Sequence, residues 1–135
     1  MDGNGRWAKK RMLPRIAGHK KGLDSIEVII KSATTYNIPT LTLYAFSTEN
    51  WNRPSEEIKG LMGLFSDSIA NEGNKLIKNN IKVNILGDIN IFNIDLQNKI
   101  KILEKKSLNN TGLNLNIALN YGARSEILMA VNKAT

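Results

Sequence analysis

The run Thr40-Leu41-Thr42-Leu43-Tyr44-Ala45-Phe46 is dense in β-branched and aromatic residues, follows the turn signal at 37–39, and gives way to the polar segment Ser47-Thr48-Glu49-Asn50-Trp51-Asn52-Arg53. This pattern predicts a buried strand that ends in a polar loop. Upstream, Ile26, Ile29, Ile30 and Ala33 recur at helical spacing within 25–36, which predicts a helix with one buried face. Downstream, Pro54-Ser55-Glu56-Glu57 reads as a helix start, with Ser55 as the cap and two acids near the positive end of the dipole. That helix is expected to run to about Lys78. Next, 81–86 alternates as a strand, Gly87-Asp88 breaks it, and 96–108 returns to helical spacing. A turn at 109–112, a third strand at 113–119 and a last helix at 125–134 complete the order.

Alternating strands and helices predict an α/β fold, a mostly parallel β-sheet flanked by helices and joined by right-handed crossovers. Such sheets bind ligands beyond the carboxyl ends of their strands. The chemistry is therefore expected along one rim made by 47–53, Gly87-Asp88 and 120–124. No repeat or linker divides residues 1–135, so a single domain is expected.

Composition narrows the class. With 41% hydrophobic and 23% charged residues among 135, the chain has the make-up of a soluble folded protein. A net charge of +7 favours anionic partners: phosphorylated small molecules, nucleic acid or an acidic membrane surface. The lack of cysteine excludes disulfide and thiol chemistry. No apolar run approaches the roughly 20 residues that span a bilayer, and a cytoplasmic protein is expected.

Met1-Asp2-Gly3-Asn4-Gly5-Arg6-Trp7-Ala8 carries the most chemistry. Gly3 and Gly5 allow close backbone approach, and a helix starting near Arg6 would aim free N–H groups at an anion. Arg6 suits phosphate oxygens, while Asp2 can hold a Mg²⁺ that the same phosphates coordinate. The alternative is a flexible basic N-terminus. Arg15, Gly18 and His19 sit around Pro14, just before the expected helix, and suit further anion contacts. Taken singly, Arg15 also reads as a surface charge and His19 as a helix-start residue. Ile58, Leu61, Met62, Phe65 and Ile69 form one helical stripe, assigned to core packing, with Leu64 widening it.

In order along the chain, the Asp2 to Ala8 motif, Arg15 with Gly18-His19, the 41–54 segment, Gly87-Asp88 and Leu115-Asn116-Ile117-Ala118-Leu119-Asn120-Tyr121-Gly122 resemble the motifs of the cis-prenyltransferase family, above all its bacterial undecaprenyl diphosphate synthases. The resemblance implies condensation of isopentenyl diphosphate onto an allylic, farnesyl-type diphosphate to build a polyprenyl lipid carrier for cell-wall synthesis. It implies catalytic roles for Asp2 and Asn50, with Mg²⁺ on Asp2. Gly3, Asn4, Gly5, Arg6, Trp7, Arg15 and His19 would hold the allylic diphosphate. Ser47, Thr48, Glu49, Asn50, Trp51 and Arg53 would bind substrate on a mobile loop that, with Glu57, closes over it; Trp51 also reads as a loop anchor. A homodimer in the full-length protein and a membrane-associated product follow from the same resemblance.

Two family features are missing: the apolar strand before the Asp-Gly-Asn motif, and the later Arg-rich, Ser-containing motif for isopentenyl diphosphate. The expectation is a partial domain, truncated at both ends. Ala123 replaces a family glycine and is expected to restrict the 120–124 turn. Two other classes stand beside the transferase. A non-catalytic partner subunit is disfavoured by Asp2, Arg6, Arg15 and His19, and a nucleic-acid-binding module lacks any recognition-helix signature and has only 6% aromatics.

Overall fold

The computed structural model describes residues 2–134; Met1, which opens the first motif, and Thr135 lie outside the described residues. Three strands, β1 (Thr40–Ser47), β2 (Lys82–Leu86) and β3 (Asn114–Tyr121), pair in parallel in the order β1-β3-β2. Because side chains alternate across a strand, this register sorts the sheet into two chemically different faces. Leu43, Val83 and Leu115 share one face and are buried against Ala33, Ile81 and Leu103. The opposite face carries a polar row across all three strands. Asn84 Nδ2 donates to Asn114 Oδ1 at 2.6 Å and Asn116 Oδ1 at 3.1 Å, and Asn116 Nδ2 donates to Thr42 Oγ1 at 3.3 Å.

Five α-helices, α1 (Asn4–Lys9), α2 (Arg15–Thr35), α3 (Ser55–Lys78), α4 (Ile94–Ser107) and α5 (Ala123–Ala134), and two short 3₁₀ turns, Thr48–Asn52 and Ile89–Ile91, accompany the sheet among the described residues. Helices α2, α3 and α4 cover the apolar face, and a second cluster of Phe46, Leu61, Phe92, Leu96, Ile100 and Leu119 continues that core toward the carboxyl end of the sheet. Helix α4 also closes the outer edge of β2. The buried Ser107 hydroxyl accepts from the Val83 N–H at 3.1 Å, and Glu104 Oε1 accepts from the Ile85 N–H at 2.7 Å. Helix α5 buries none of its residues.

The parallel α/β architecture agrees with the sequence reading, and several local expectations are corrected. Helix α2 begins ten residues earlier than the apolar spacing predicts, so Arg15, Gly18 and His19 lie inside it instead of before it. Its first turns pack through glycine: a Cβ on Gly18 would lie 2.0 Å from the Asn4 carbonyl oxygen, and one on Gly22 would lie 2.7 Å from Asn4 Nδ2. A pattern search for large apolar residues misses such a face. Ser55 does not cap α3; Pro54 occupies the cap position and Ser55 is the first helical residue. Helix α1 begins two residues before Arg6, at Asn4. Helix α4 starts at Ile94 because Asn93 Oδ1 accepts from the Leu96 N–H at 2.9 Å. Ala123 has no positive φ and opens α5, so it does not restrict the preceding turn; Asn120, at φ +50°, absorbs the left-handed step.

Candidate functional site

The N-termini of α2 and α3 meet at one carboxylate. Glu57, in the first turn of α3, has a side chain only 8% exposed, and it accepts from His19 Nε2 at 3.2 Å, Arg53 Nη1 at 3.2 Å and Arg15 Nη1 at 3.3 Å. Burial pushes its carboxyl up, but the His19 hydrogen bond and the charges of Arg15 and Arg53 outweigh that, leaving its pKa below the ordinary glutamate value. His19 Nδ1 lies 3.5 Å from the Asn4 side-chain amide, so α1 joins the same network. Gly3, at φ +90°, turns the chain into α1, and Asp2 closes the motif: its Oδ1 accepts from the Gly3 N–H at 2.6 Å and its Oδ2 from Arg6 Nη2 at 3.0 Å. That backbone hydrogen bond, reinforced by Arg6, holds the Asp2 carboxyl below its usual range.

Of these groups, Asp2, Asn4, His19 and Arg53 stand at the mouth of a cavity of about 530 Å³. Asp2, Asn4, His19, Ser47, Asn50 and Arg53 form its polar lining; Leu23, Ile26, Ala45, Leu61, Leu64 and Phe65 form its apolar lining. The gradient follows from the helices. Both α2 and α3 start at the polar mouth, so moving from His19 to Leu23 and Ile26, or from Arg53 to Leu61 and Phe65, descends into hydrocarbon. At about 1.5 Å per helical residue, the seven residues from His19 to Ile26 cover about 10 Å. Cationic donors at one end and aliphatic walls at the other suit an amphiphile with an anionic head and an apolar tail.

Among the described residues no group of three or more His, Cys, Asp and Glu side chains could hold a metal. Asp2 nonetheless fits a cation that takes most of its ligands from phosphate and water: its carboxylate is 94% exposed and belongs to the cavity lining.

The structure gathers Asp2, Asn4, His19, Ser47, Asn50 and Arg53 around this cavity, while Arg15 is outside its lining and shares the acceptor Glu57 with His19 and Arg53. Other expected residues sit elsewhere. Arg6 is exposed and paired with Asp2, and Trp7 packs under the Arg11 guanidinium, 4.3 Å from the ring centroid. Gly5 has helical backbone, and a Cβ there would meet Arg15 at an ordinary 3.8 Å, so this glycine is not conformationally required. Glu49 is exposed on a 3₁₀ turn, Thr48–Asn52, that Ser47 and Asn50 stabilise by reciprocal side-chain capping. Thr48 faces a smaller cavity, of about 190 Å³, shared with Asp88, Asn120 and Glu126. Trp51 turns inward: its ring stacks edge-on against Phe46 at 5.2 Å and near Phe92 at 6.0 Å, and Nε1 donates to Asn120 Oδ1 at 2.8 Å. It is an anchor of the loop.

Three features escape a reading of the motifs alone. Leu23 and Ile26 extend the apolar wall, a role signalled only by their three-residue spacing along α2. Glu57 serves as the common acceptor, hinted at by its position four residues after Arg53. Asn120 links the three rim segments: Oδ1 takes the Trp51 N–H, Nδ2 donates to the Asp88 carbonyl at 2.7 Å, and its own carbonyl accepts from the Asp88 N–H at 3.4 Å.

Comparison with known proteins bears directly on this geometry. A protein-family model described as "Putative undecaprenyl diphosphate synthase" matches residues 1–135. An isoprenyl transferase of Neisseria gonorrhoeae is 50% identical over 133 residues, which are 98% of this chain and 54% of that protein. A ditrans,polycis-undecaprenyl-diphosphate synthase ((2E,6E)-farnesyl-diphosphate specific) of Wigglesworthia glossinidia brevipalpis is 53% identical over 133 residues, 98% of this chain and 51% of that protein. Among solved structures, lavandulyl diphosphate synthase from Lavandula x intermedia, in complex with dimethylallyl diphosphate, superposes with a TM-score of 0.95 at 31% identity, covering 99% of this chain and 58% of that one. The chain thus spans about half the length of the curated relatives it matches.

Proposed function

The chain belongs to the undecaprenyl diphosphate synthase family of prenyltransferases, and on that premise we propose that its cavity receives an allylic diphosphate, whose prenyl group the full-length enzyme condenses with isopentenyl diphosphate. The observation that carries this reading is the graded cavity, with His19 and Arg53 at the mouth and Leu23, Ile26, Leu61 and Phe65 below. Farnesyl diphosphate is the starter favoured by the name of the Wigglesworthia relative, and the lavender structure, a complex with dimethylallyl diphosphate, supports an allylic diphosphate as the ligand. The product is a polyprenyl diphosphate that serves as a lipid carrier for cell-wall synthesis.

In the reaction the allylic carbon–oxygen bond breaks and its electron pair leaves with the diphosphate. His19, Arg15 and Arg53 offer preorganised donors to that developing charge. The isopentenyl double bond supplies the electrons of the new carbon–carbon bond, and loss of a proton completes the added unit. Asn50 and Ser47 border the reacting end, while the apolar wall orients the tail and keeps water from the electron-poor carbon. Asp2 would hold Mg²⁺ together with the phosphates, and the ion would neutralise charge on the departing diphosphate.

On this reading the enzyme acts in the cytoplasm, pairs as a homodimer at full length and hands its lipid to the membrane; nucleic acid is no partner. No helix among the described residues is long and apolar enough to cross a bilayer. The test is to incubate the full gene product carrying this chain with farnesyl diphosphate, labelled isopentenyl diphosphate and Mg²⁺. Long-chain lipid products are expected, and their absence would refute the assignment.

A further inference from the structure

Glu57 is not part of the cavity lining, yet two of its three partners, His19 and Arg53, are. We infer that Glu57 is a positioning residue: a buried carboxylate behind the mouth that fixes His19, Arg53 and Arg15 in the arrangement that receives a diphosphate. The inference rests on the functional reading above and goes past it by assigning the residue that orders the donors.

The geometry supports it in two ways. The three donors come from two separate elements, His19 and Arg15 from the opening turns of α2 and Arg53 from the segment entering α3. Their common acceptor therefore ties the two walls of the mouth together. Arg15 is also 66% exposed at its side chain. A long exposed arginine has several rotatable bonds, and its orientation is lost once its acceptor is removed. All three partners would be left without the group that aligns them, and misplacing a binding group by about 1 Å can cost up to about a hundredfold in function.

Electrostatics alone predicts the opposite. A carboxylate beside an anion site repels the anion, so removing its charge should tighten diphosphate binding. The two effects have opposite signs, and one substitution decides between them. In the full gene product carrying this chain, Glu57→Gln keeps the side-chain shape and removes the charge. Calorimetry with inorganic pyrophosphate and Mg²⁺ is expected to show binding weakened about tenfold. In turnover, KM for farnesyl diphosphate should rise while KM for isopentenyl diphosphate stays near its original value. Equal or tighter pyrophosphate binding by the folded variant would overturn the inference. Should Glu57→Gln fail to fold, Glu57→Asp keeps the charge but retracts it by one methylene: weaker pyrophosphate binding supports positioning, and unchanged binding refutes it. Wild-type protein that binds pyrophosphate but makes no polyprenyl product would defeat the proposed function while leaving the role of Glu57 intact. Wild-type protein that binds no pyrophosphate would defeat both.

Discussion

Two polar assemblies stand close together in this molecule and are built on opposite principles. Beside the main cavity, which Asp2 and Arg53 line, the pair Asp2–Arg6 and the group Arg15, Arg53 and Glu57 interact as full charges, with side chains ranging from 8% to 94% exposed. At the carboxyl ends of the strands, Asn120, Trp51 and the Asp88 backbone interact through neutral groups, and Asn120 is 8% exposed. Neutral amide bonds in a dry setting are costly to leave unmade and hold one geometry. Exposed charges can trade a partner for an incoming anion at little cost. The contrast teaches that the exposed Asp2–Arg6 pair is made for exchange, whereas the buried Glu57 and the amide junction are made for permanence.

The sharpest way to break this comparison is Asp2→Ala. It should lower kcat of the full gene product by on the order of a hundredfold to a thousandfold while the melting temperature stays unchanged. A loss of folding instead would make Asp2 a scaffold residue. Asn120→Ala should do the reverse: it strands the Trp51 N–H and the Asp88 carbonyl, and stability should fall by about 2 to 4 kcal/mol, measured by denaturant unfolding. An undiminished midpoint would show the junction to be dispensable. The smallest expected effect comes from acid. Because the Glu57 pKa is lowered by folding, the stability it contributes is fully present above the ordinary glutamate range and disappears as pH falls through the folded value. Melting temperatures recorded across that interval should fall more steeply for the wild type than for Glu57→Gln. Parallel curves would remove Glu57 from the acid response.

Much of the architecture was legible in the residues. The three strands and helix α3 carry strong local signals: alternating or continuous apolar runs, turn residues at their ends, and a proline before Ser55. Helix α2 was legible only in its second half, since Gly18 and Gly22 pack by being small and leave no hydrophobic trace. Of the candidate site, the motifs pointed to Asp2, Asn4, His19, Ser47, Asn50 and Arg53, which the fold brings to one cavity although they are separated by up to 51 positions. What they could not indicate was division of labour within a motif. Trp51 and Asn50 are adjacent in sequence, but one faces the core and the other the cavity, because the 3₁₀ turn between Thr48 and Asn52 sets neighbouring side chains on different sides.

The seal that α4 places on β2 gives the sheet a direction of growth. With the Val83 and Ile85 amides already occupied by Ser107 and Glu104, that margin offers no donor row to a newcomer. Any additional strand, whether intramolecular or contributed by another polypeptide, must therefore join on the β1 flank, which makes the assembly extensible on one side only.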